Sequence, residues 1–300
     1  MRSGVTAVTR RTIHLRIDVD FLSGWIDAVP FFLDTLDRHA MRATFFGVVG
    51  FNRIGGSLKR LGDAAYRRRY WQLGPWQSYR CLRHDRSVQR PMIEYNEVRD
   101  AIRSIQSRGH EFALHGWDHG WWADHVWQAP RERLEMEVDR AYAAVESETP
   151  LAWGSPNWRS RDDLERCWQR HQTPYLSEGW GSEPLRVAGR VNLPVTDCLE
   201  PQRLQQRRAT DEQLVGSWLD EIVARPYTLL CVHDYFEGLM QRPLFSRLIE
   251  ETARRQIAIA PLQDVVATLD PPQGHFERDQ VDGFVGEVSR THVLPSASCM

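Results

Sequence analysis

The sequence lacks the features that mark several common protein classes. No segment approaches the ~20 consecutive apolar residues of a transmembrane helix, and the opening stretch MRSGVTAVTRRTIH has no apolar run after its charges, so we expect no signal peptide. The five cysteines show no CxxC spacing, which argues against a zinc knuckle or a disulfide framework. A net charge of −2 argues against a chain-wide nucleic-acid binder, and we expect no nucleic-acid partner. These absences favour a cytoplasmic, globular protein.

What is present is enough for a sizeable core. The chain has 300 residues, of which 42% are hydrophobic, and this length suits one α/β barrel or two ordinary domains. The 12 tryptophans are an unusual number. They are explained either by core packing or by walls that stack on sugars or sit at a membrane interface.

Apolar periodicity predicts alternating strands and helices. Ile13–Val19 alternates like a strand, Ala28–His39 carries a helical stripe, and Ala43–Val49 is a continuous apolar run. This spacing is typical of a βαβ unit with parallel strands. Similar units recur up to residue 269, including a buried strand at Tyr227–Val232, and they predict a barrel or an open parallel sheet. We expect one domain over residues 12–270, with an insertion at about 51–95, and a poorly ordered polar tail at 271–300.

Ionisable residues follow four of the predicted strands. In a barrel of βα units the carboxyl ends of the strands form one rim, where catalytic groups gather. The residues concerned are Asp18 and Asp20, then His115 and His119, then Arg159, and finally His233 with Asp234.

Two of these patterns together indicate a metal site. Asp18 and Asp20 point to the same side of an extended chain, and a cation between them would offset their repulsion. His115 and His119 have the HxxxH spacing of a common metal-binding pair. Each pattern alone is weak, but two imidazoles and a carboxylate leave coordination positions open, as in catalytic sites.

The motif order resembles that of the NodB-type polysaccharide deacetylases. Within that superfamily the chain looks most similar to the 4-deoxy-4-formamidoarabinose-phosphoundecaprenol deformylases. The segments that carry the resemblance are LRIDVD, HGWDHGWW, WRSRDD, LSEGWG, LPVT and HDYFEG. The resemblance implies an α/β fold, a distorted parallel (β/α) barrel with fewer than eight strands. It also implies hydrolysis of an N-acyl sugar amide with a divalent metal.

The resemblance also implies a role for each site residue. The metal ligands would be Asp20, His115 and His119, Asp18 would be the general base, His233 the general acid, Arg159 the residue that orients Asp18, and Glu178 the partner of His233. Trp117, Trp158 and Glu237 are expected to contact the substrate. We expect zinc first, with iron, cobalt, manganese or nickel as alternatives.

The insertion has an unusual charge. From Phe51 to Arg90 it carries a net charge of +8, which leaves about −10 for the rest of the chain, and aromatic residues are interleaved with the basic ones. The segment is either a solvated helical face or a contact with an anionic membrane surface. A membrane contact would suit a sugar carried on a polyprenyl phosphate. The alternatives are a deacetylase of peptidoglycan or of a soluble amino sugar, and a catalytically silent glycolipid-binding scaffold.

Overall fold

The computed structural model describes residues 11–52, 62, 64–73, 92–281, 284 and 286–294. In chain order its strands are β1 Thr12–Val19, β2 Thr44–Gly47, β3 Glu111–Leu114, β4 Leu185–Val187, β5 Arg190–Asn192, β6 Asp197–Cys198, β7 Leu229–His233, β8 Ala258–Ala260, β9 Gly274–Gln280 and β10 Glu287–Val293. Its α-helices are α1 Val29–Asp37, α2 Ala64–Leu73, α3 Tyr95–Ser107, α4 His119–His125, α5 Arg131–Ala144, α6 Glu165–Arg170, α7 Leu199–Gln205, α8 Asp211–Ile222, α9 Arg242–Arg254 and α10 Leu262–Val266.

A parallel sheet in the order β3-β2-β1-β7-β6 forms the centre of the fold, and β8 also pairs with β1. Every residue of β2, β3 and β7 is buried, as expected for strands covered on both faces. The predicted α/β architecture is therefore confirmed, and the strands predicted from apolar runs agree with the observed ones within about two residues at each end.

The central sheet continues beyond its edge strands through single bridged pairs of residues. Leu114 bridges to Trp153, Trp153 to Leu176, and Trp180 to Val195, close to β6, all in parallel orientation. Backbone hydrogen bonds accompany these bridges, for example from Gly154 N to Leu114 O at 2.9 Å. The sheet therefore curls towards a ring in which several positions are irregular backbone, as in a distorted barrel.

Local capping explains where several helices start. At α3, Glu94 and Glu97 form a reciprocal capping box, and Thr210 and Gln213 do the same at α8. At α4 the Asp118 side chain accepts a hydrogen bond from Trp121 N at 2.8 Å. This cap fixes the turn between β3 and α4, which carries the histidine pair.

The C-terminal segment differs from the prediction of a poorly ordered tail. Residues Gly274–Gln280 and Glu287–Val293 pair as an antiparallel hairpin, β9–β10, which we call the C-terminal hairpin. Trp180 N donates to Ser289 O, and Thr291 N donates to Trp180 O, both at 2.8 Å. The tail prediction is wrong for these residues, because their polar composition belongs to the exposed side of a hairpin that docks on the barrel.

Most of the predicted insertion lies outside the described residues. Within it the structure describes helix α2, where Trp71 is 70% exposed, and short flanking pieces. No described helix has both the length and the apolar character needed to cross a bilayer.

Candidate active site

The candidate site lies at the carboxyl ends of the neighbouring strands β1, β2, β3 and β7. In the parallel ladder Asp18 is in register with His233. His115 follows β3 directly, and its backbone N–H donates to Gly47 O at 2.9 Å. The sheet therefore brings together the groups that the sequence predicted at one rim, from segments far apart in the chain.

Asp20, His115 and His119 converge as a possible metal-binding triad. One ligand atom from each lies within 4.8 Å of the others. The Nε2 atoms of His115 and His119 lie 3.4 and 3.5 Å from Asp20 Oδ1. Asp20 Oδ1 is buried and has no hydrogen-bond partner among the described residues. A buried carboxylate oxygen that faces two imidazoles fits a divalent cation.

The ring of His115 is oriented as a metal ligand requires. Its Nδ1 lies 2.7 Å from Gly154 O, so Nδ1 carries the proton and donates to this carbonyl. The lone pair of Nε2 then faces Asp20. Burial is the main cause that lowers the pKa of His115 to about 4, although Asp18 and Asp20 oppose the shift. The imidazole is therefore neutral at pH 7, as a ligand must be.

Asp20 is held in place by Asp234, a residue for which the sequence analysis predicted no role. Asp234 Oδ2 accepts the backbone N–H groups of Asp20 and Phe21, each at 2.9 Å. A Cβ on Gly24 would collide with this carboxylate, so the close approach requires glycine there. Burial, together with the Asp18 charge, raises the pKa of Asp20, and a cation between the ligands would offset that cost.

The guanidinium that pairs with Asp18 belongs to Arg16, two residues earlier on β1. Arg16 Nε lies 2.6 Å from Asp18 Oδ1, and Nη2 lies 2.9 Å from Oδ2. Both side chains are almost completely buried. Burial alone would raise the pKa of Asp18, but Arg16, with smaller contributions from His115 and His233, lowers it to about 2.

The prediction that Arg159 orients Asp18 is therefore wrong. Arg159 Nε donates to Glu287 O at 2.8 Å, and its Nη1 donates to Ala123 O. Its guanidinium also lies over the Trp127 ring, 4.7 Å from the centroid. Arg159 ties the loop after residue 153 to α4 and to the C-terminal hairpin.

His233 lies on the opposite side of Asp18 from His115, and its partner is a thiol. Burial opposes its protonation, but a hydrogen bond with Cys198, together with the charges of Cys198, Asp18 and Asp20, raises the pKa of His233 well above its ordinary value. The imidazole is therefore protonated at neutral pH, the state that a general acid needs.

Glu178 lies elsewhere than predicted. Its carboxylate accepts a hydrogen bond from Ser160, and its backbone N–H donates to Asn192 Oδ1 at 2.9 Å. Burial, only partly offset by the hydroxyls of Ser160 and Ser155, raises the pKa of Glu178 to about 7. Among the described contacts, Cys198 stands where the sequence predicted Glu178 to pair with His233.

Glu237, expected to contact the substrate, is completely buried behind His233. Its Oε2 accepts the backbone N–H of His233 at 2.8 Å. Burial raises the pKa of Glu237 well above its ordinary value. Glu237 holds the backbone of His233, and its contact with substrate stays a prediction.

The two predicted tryptophans occupy different positions. Trp117 is half-buried beside Phe51, with ring centroids 5.9 Å apart. Trp158 is 5% exposed, and its ring meets the His233 ring edge-on with centroids 5.5 Å apart. Asn157 and Trp158 have φ values of 53° and 50°, a conformation uncommon for bulky residues. This strained turn directs Trp158 at His233.

The C-terminal hairpin completes the wall on the His233 side. Phe284 packs on Trp158 with ring centroids 4.7 Å apart, and on Trp180 at 4.9 Å. Ser289 Oγ accepts the Ser160 N–H at 2.8 Å and lies 3.1 Å from Ser160 O. We call Trp158, Trp180 and Phe284 the aromatic wall. Sequence reasoning missed the contribution of the hairpin.

Comparisons with known proteins agree with this geometry. A family model described as Polysaccharide deacetylase matches residues 9–159. A protein from Shewanella sediminis (strain HAW-EB3), described as a probable 4-deoxy-4-formamido-L-arabinose-phosphoundecaprenol deformylase, ArnD, is 24% identical over 290 residues, which cover 92% of this chain and 93% of the relative. A relative of the same description from Wigglesworthia glossinidia brevipalpis is 20% identical over 262 residues, or 79% and 87% of the two chains.

A solved structure supports the fold. The crystal structure of a Mycobacterium smegmatis protein, described as a polysaccharide deacetylase, superimposes with a TM-score of 0.61 at 16% identity. The match covers 91% of this chain and 95% of the other. The family resemblance inferred from the motifs is confirmed by the family match.

Proposed function

Because the chain belongs to the polysaccharide deacetylase family, we propose that it is a metal-dependent hydrolase that removes a formyl or acetyl group from an amino sugar. The observation that carries the proposal is the convergence of Asp20, His115 and His119 beside an ionised Asp18, with a protonated His233 nearby. The metal is proposed to be divalent, zinc first, with iron, cobalt, manganese or nickel as alternatives.

Asp20, His115 and His119 would hold the ion. A divalent ion in this place supplies Lewis acidity towards an amide carbonyl and a water molecule. The chain contributes the orientation of the ligands: Gly154 O fixes the tautomer of His115, and Asp234 fixes the backbone of Asp20. Such contacts behind the ligands commonly affect metal affinity about 10–100-fold.

Asp18 is proposed to take the proton from the attacking water. The Arg16 ion pair keeps the pKa of Asp18 at about 2, so the carboxylate is ionised throughout the neutral range. Arg16 occupies both oxygens of Asp18 in a bidentate geometry, which fixes the direction of the carboxylate.

His233 is proposed to protonate the nitrogen of the sugar as the amide bond breaks. An amine leaves poorly as an anion, so a protonated group must be in place, and the raised pKa of His233 supplies one. Glu237 holds its backbone, and Trp158 stands against its ring. Trp117 is the proposed substrate contact on the other side of the site.

A sugar carried on a polyprenyl phosphate is the substrate that we favour. The support is the description of the two relatives and the +8 charge of the aromatic-rich segment from Phe51 to Arg90, which suits an anionic membrane surface. We propose that the enzyme works at the cytoplasmic face of a membrane and binds there peripherally. Peptidoglycan, soluble amino sugars and a silent binding role are the competing outcomes of the test.

The test measures metal content and amine release together. Purified protein is expected to hold about one ion per chain of the physiological metal and to release an amine from formyl or acetyl amino sugars. His115→Ala is expected to lose both the ion and the activity, while His125→Ala, an exposed histidine at the end of α4, keeps both. Activity that persists in metal-free His115→Ala would defeat the metal scheme.

A panel of candidate substrates tests which sugar the enzyme accepts. Formylated and acetylated amino sugars on a polyprenyl phosphate are compared with the same sugars free in solution and with an acetylated glycan. Preference for the carrier-linked sugars is expected, and equal turnover of the free sugars would reject the lipid carrier. No turnover of any member by metal-loaded protein would favour the silent binding role.

A further inference from the structure

A second group of possible metal ligands lies directly behind the proposed acid and base. Cys198 and Cys231 are in register on the adjacent parallel strands β6 and β7, and Asp18 is in register with His233 on β1 and β7. Residues in register on neighbouring strands project to the same face of a sheet. The cysteines, His233 and Asp18 therefore share the interior face of the barrel, and none of them is more than 8% exposed.

Three of these four groups have ligand atoms close enough to share one ion, and the fourth, Cys198, is on the adjacent strand. One ligand atom each from Asp18, Cys231 and His233 lies within 4.8 Å of the others, and Cys231 Sγ is 3.6 Å from Asp18 Oδ2. Cys198 is in register with Cys231, and its thiol is close enough to Cys231 and His233 to affect their pKa values. The bond lengths of tetrahedral zinc imply separations of about 3.5 Å between ligand atoms.

An unpartnered buried nitrogen also points to this place. His233 Nδ1 is buried, and no oxygen or nitrogen atom of the described residues hydrogen-bonds to it. The Cys198 thiol is near the ring, on the strand adjacent to β7, and raises the pKa of His233. A buried nitrogen whose neighbours are thiols is the environment expected for a ligand of a soft or borderline ion.

From this geometry we infer that Cys198, Cys231 and His233 form a second metal site, selective for soft divalent ions such as Cd²⁺ and Zn²⁺. The site differs in chemistry from the Asp20 triad, which offers one oxygen and two nitrogens. Asp18 Oδ2 already accepts a hydrogen bond from Arg16 Nη2 and another from the Cys231 thiol. We therefore assign three protein ligands and an open fourth position, and the two thiols release their protons when the ion binds.

Occupation of this second site would inhibit the enzyme. An ion bound to His233 removes the group that would protonate the leaving amine, and a positive charge 3–4 Å from Asp18, roughly the span of such a site, weakens that base. This consequence rests on the proposed function, whereas the metal site itself does not. Excess zinc is expected to inhibit by binding behind the acid and base while a catalytic ion remains on the Asp20 triad.

The experiment is a titration of metal-free protein with Cd²⁺ in the presence of a phosphine reductant, which keeps the thiols reduced. Native mass spectrometry counts the bound ions, and ultraviolet absorption reports cadmium–thiolate bonds. Wild type is expected to bind two ions per chain and to develop the thiolate absorption. Cys198→Ser and Cys231→Ser are each expected to lose one ion and most of the absorption.

The other variants separate the two sites. His115→Ala should lose one ion and keep the thiolate absorption, because that ion belongs to the Asp20 triad. Cys167→Ser removes the thiol of a third candidate group, Asp139, Cys167 and His171, and should keep both ions and the absorption. Cys198→Ala serves as a second variant if Cys231→Ser does not fold by circular dichroism. Thiolate absorption retained in both folded cysteine variants, or absent from wild type at saturating Cd²⁺, would overturn the site.

Activity provides the last comparison. If the proposed function holds, excess Zn²⁺ should inhibit wild type at concentrations at least tenfold below those that inhibit Cys198→Ser, as expected when ligand loss weakens binding by 1.4 kcal/mol or more. Equal inhibition of wild type and Cys198→Ser would show that an ion at the second site does not inhibit catalysis. Protein without any hydrolase activity that still binds two Cd²⁺ ions would contradict the proposed function and leave the second site in place.

Discussion

Asp18 and Glu178 are both completely enclosed carboxylates of the barrel interior, yet they have opposite electrostatic character. Asp18 faces the Arg16 guanidinium at 2.6 and 2.9 Å, and its pKa falls to about 2. Glu178 faces hydroxyl groups, and its pKa rises to about 7. Burial raises the pKa of both groups, so the neighbour decides which one stays charged. Asp18 is therefore proposed as the base because of its cationic neighbour Arg16, and the extent of its burial does not distinguish it from Glu178.

The most sensitive test of this comparison is Asp18→Asn. Removal of the proposed base while its shape is kept is expected to reduce kcat about 10²–10⁴-fold, because general-base catalysis contributes that much. Metal content should stay near that of wild type, since Asp18 is not one of the three proposed ligands. Steady-state kinetics and metal analysis on the same sample check both parts. A variant with nearly full activity would remove Asp18 from the chemistry.

Arg16→Met tests the partner directly. Asp18 would then keep its burial but lose its cation, like Glu178, and we expect the free energy of unfolding to fall by about 3–5 kcal/mol at pH 7. Denaturant unfolding measures this change. Arg159→Met is the matched control, since that guanidinium bonds to main-chain oxygens and lies over Trp127. A greater loss in Arg159→Met than in Arg16→Met would reverse our assignment of the two arginines.

The Arg16–Asp18 ion pair also predicts how the stability of the protein changes at acidic pH. Because the folded-state pKa of Asp18 is about 2, below its ordinary value of 3.8, the stabilisation is fully present above about pH 4. It is lost as the pH falls from there through about 2. The stability difference between wild type and Asp18→Asn should therefore shrink over that window, as followed by urea unfolding at several pH values. A difference that is constant down to pH 2 would contradict the ion pair.

Glu178→Gln should change the free energy of unfolding in the opposite direction, by raising it at alkaline pH. The pKa of Glu178 is about 7 in the folded protein, above its ordinary value of 4.5, so its ionisation destabilises the fold as the pH rises through that interval. The variant is expected to gain about 3 kcal/mol over wild type at pH 8, and almost nothing at pH 4. Unfolding curves at both pH values measure this gain. Glu148→Gln, at an exposed position, should follow wild type, and an equal gain at both pH values for Glu178→Gln would exclude the mechanism.

The smallest expected effect concerns the C-terminal hairpin. Ser289→Ala removes the acceptor of the Ser160 N–H and is expected to cost about 1–3 kcal/mol of stability, because the amide is left buried without a partner. Thermal unfolding measures the loss. Arg290→Ala, at the next position on β10, breaks a half-exposed ion pair with Asp279 on β9 and should cost less than about 1 kcal/mol. Equal losses of stability in the two variants would mean that the hydrogen bond from Ser160 N–H to Ser289 contributes no more than the half-exposed ion pair.

The sequence predicted the metal side of the site better than the acid side, for a physical reason. Asp20, His115 and His119 directly follow or flank strands, so their convergence depends only on parallel pairing, which apolar runs reveal. Cys198 reaches His233 from β6, a strand of two residues, Asp197–Cys198. So short a strand gives no periodicity from which its neighbour could be inferred.

Arg16 was missed because of the alternation in β1. Apolar Ile13, Leu15 and Ile17 alternate with polar residues, a pattern typical of a strand with one solvent-exposed face. In the structure the polar face is buried on the inner side of the curled sheet, and Arg16 is 0% exposed. Only the ring of neighbouring strands converts that face from solvent-exposed to buried, and this ring is a tertiary property. The same limit hid the hairpin, whose surface composition resembles that of a loose tail.

The position of the C-terminal hairpin has a consequence for biosynthesis. Residues 274–293 follow every other described element, so the growing chain exposes the metal ligands long before Ser289 and Phe284 leave the ribosome. Until then Trp158 and Trp180 lack one side of their packing. A nascent chain can thus bring the Asp20, His115 and His119 side chains together before Phe284 completes the packing on Trp158 and Trp180 near His233.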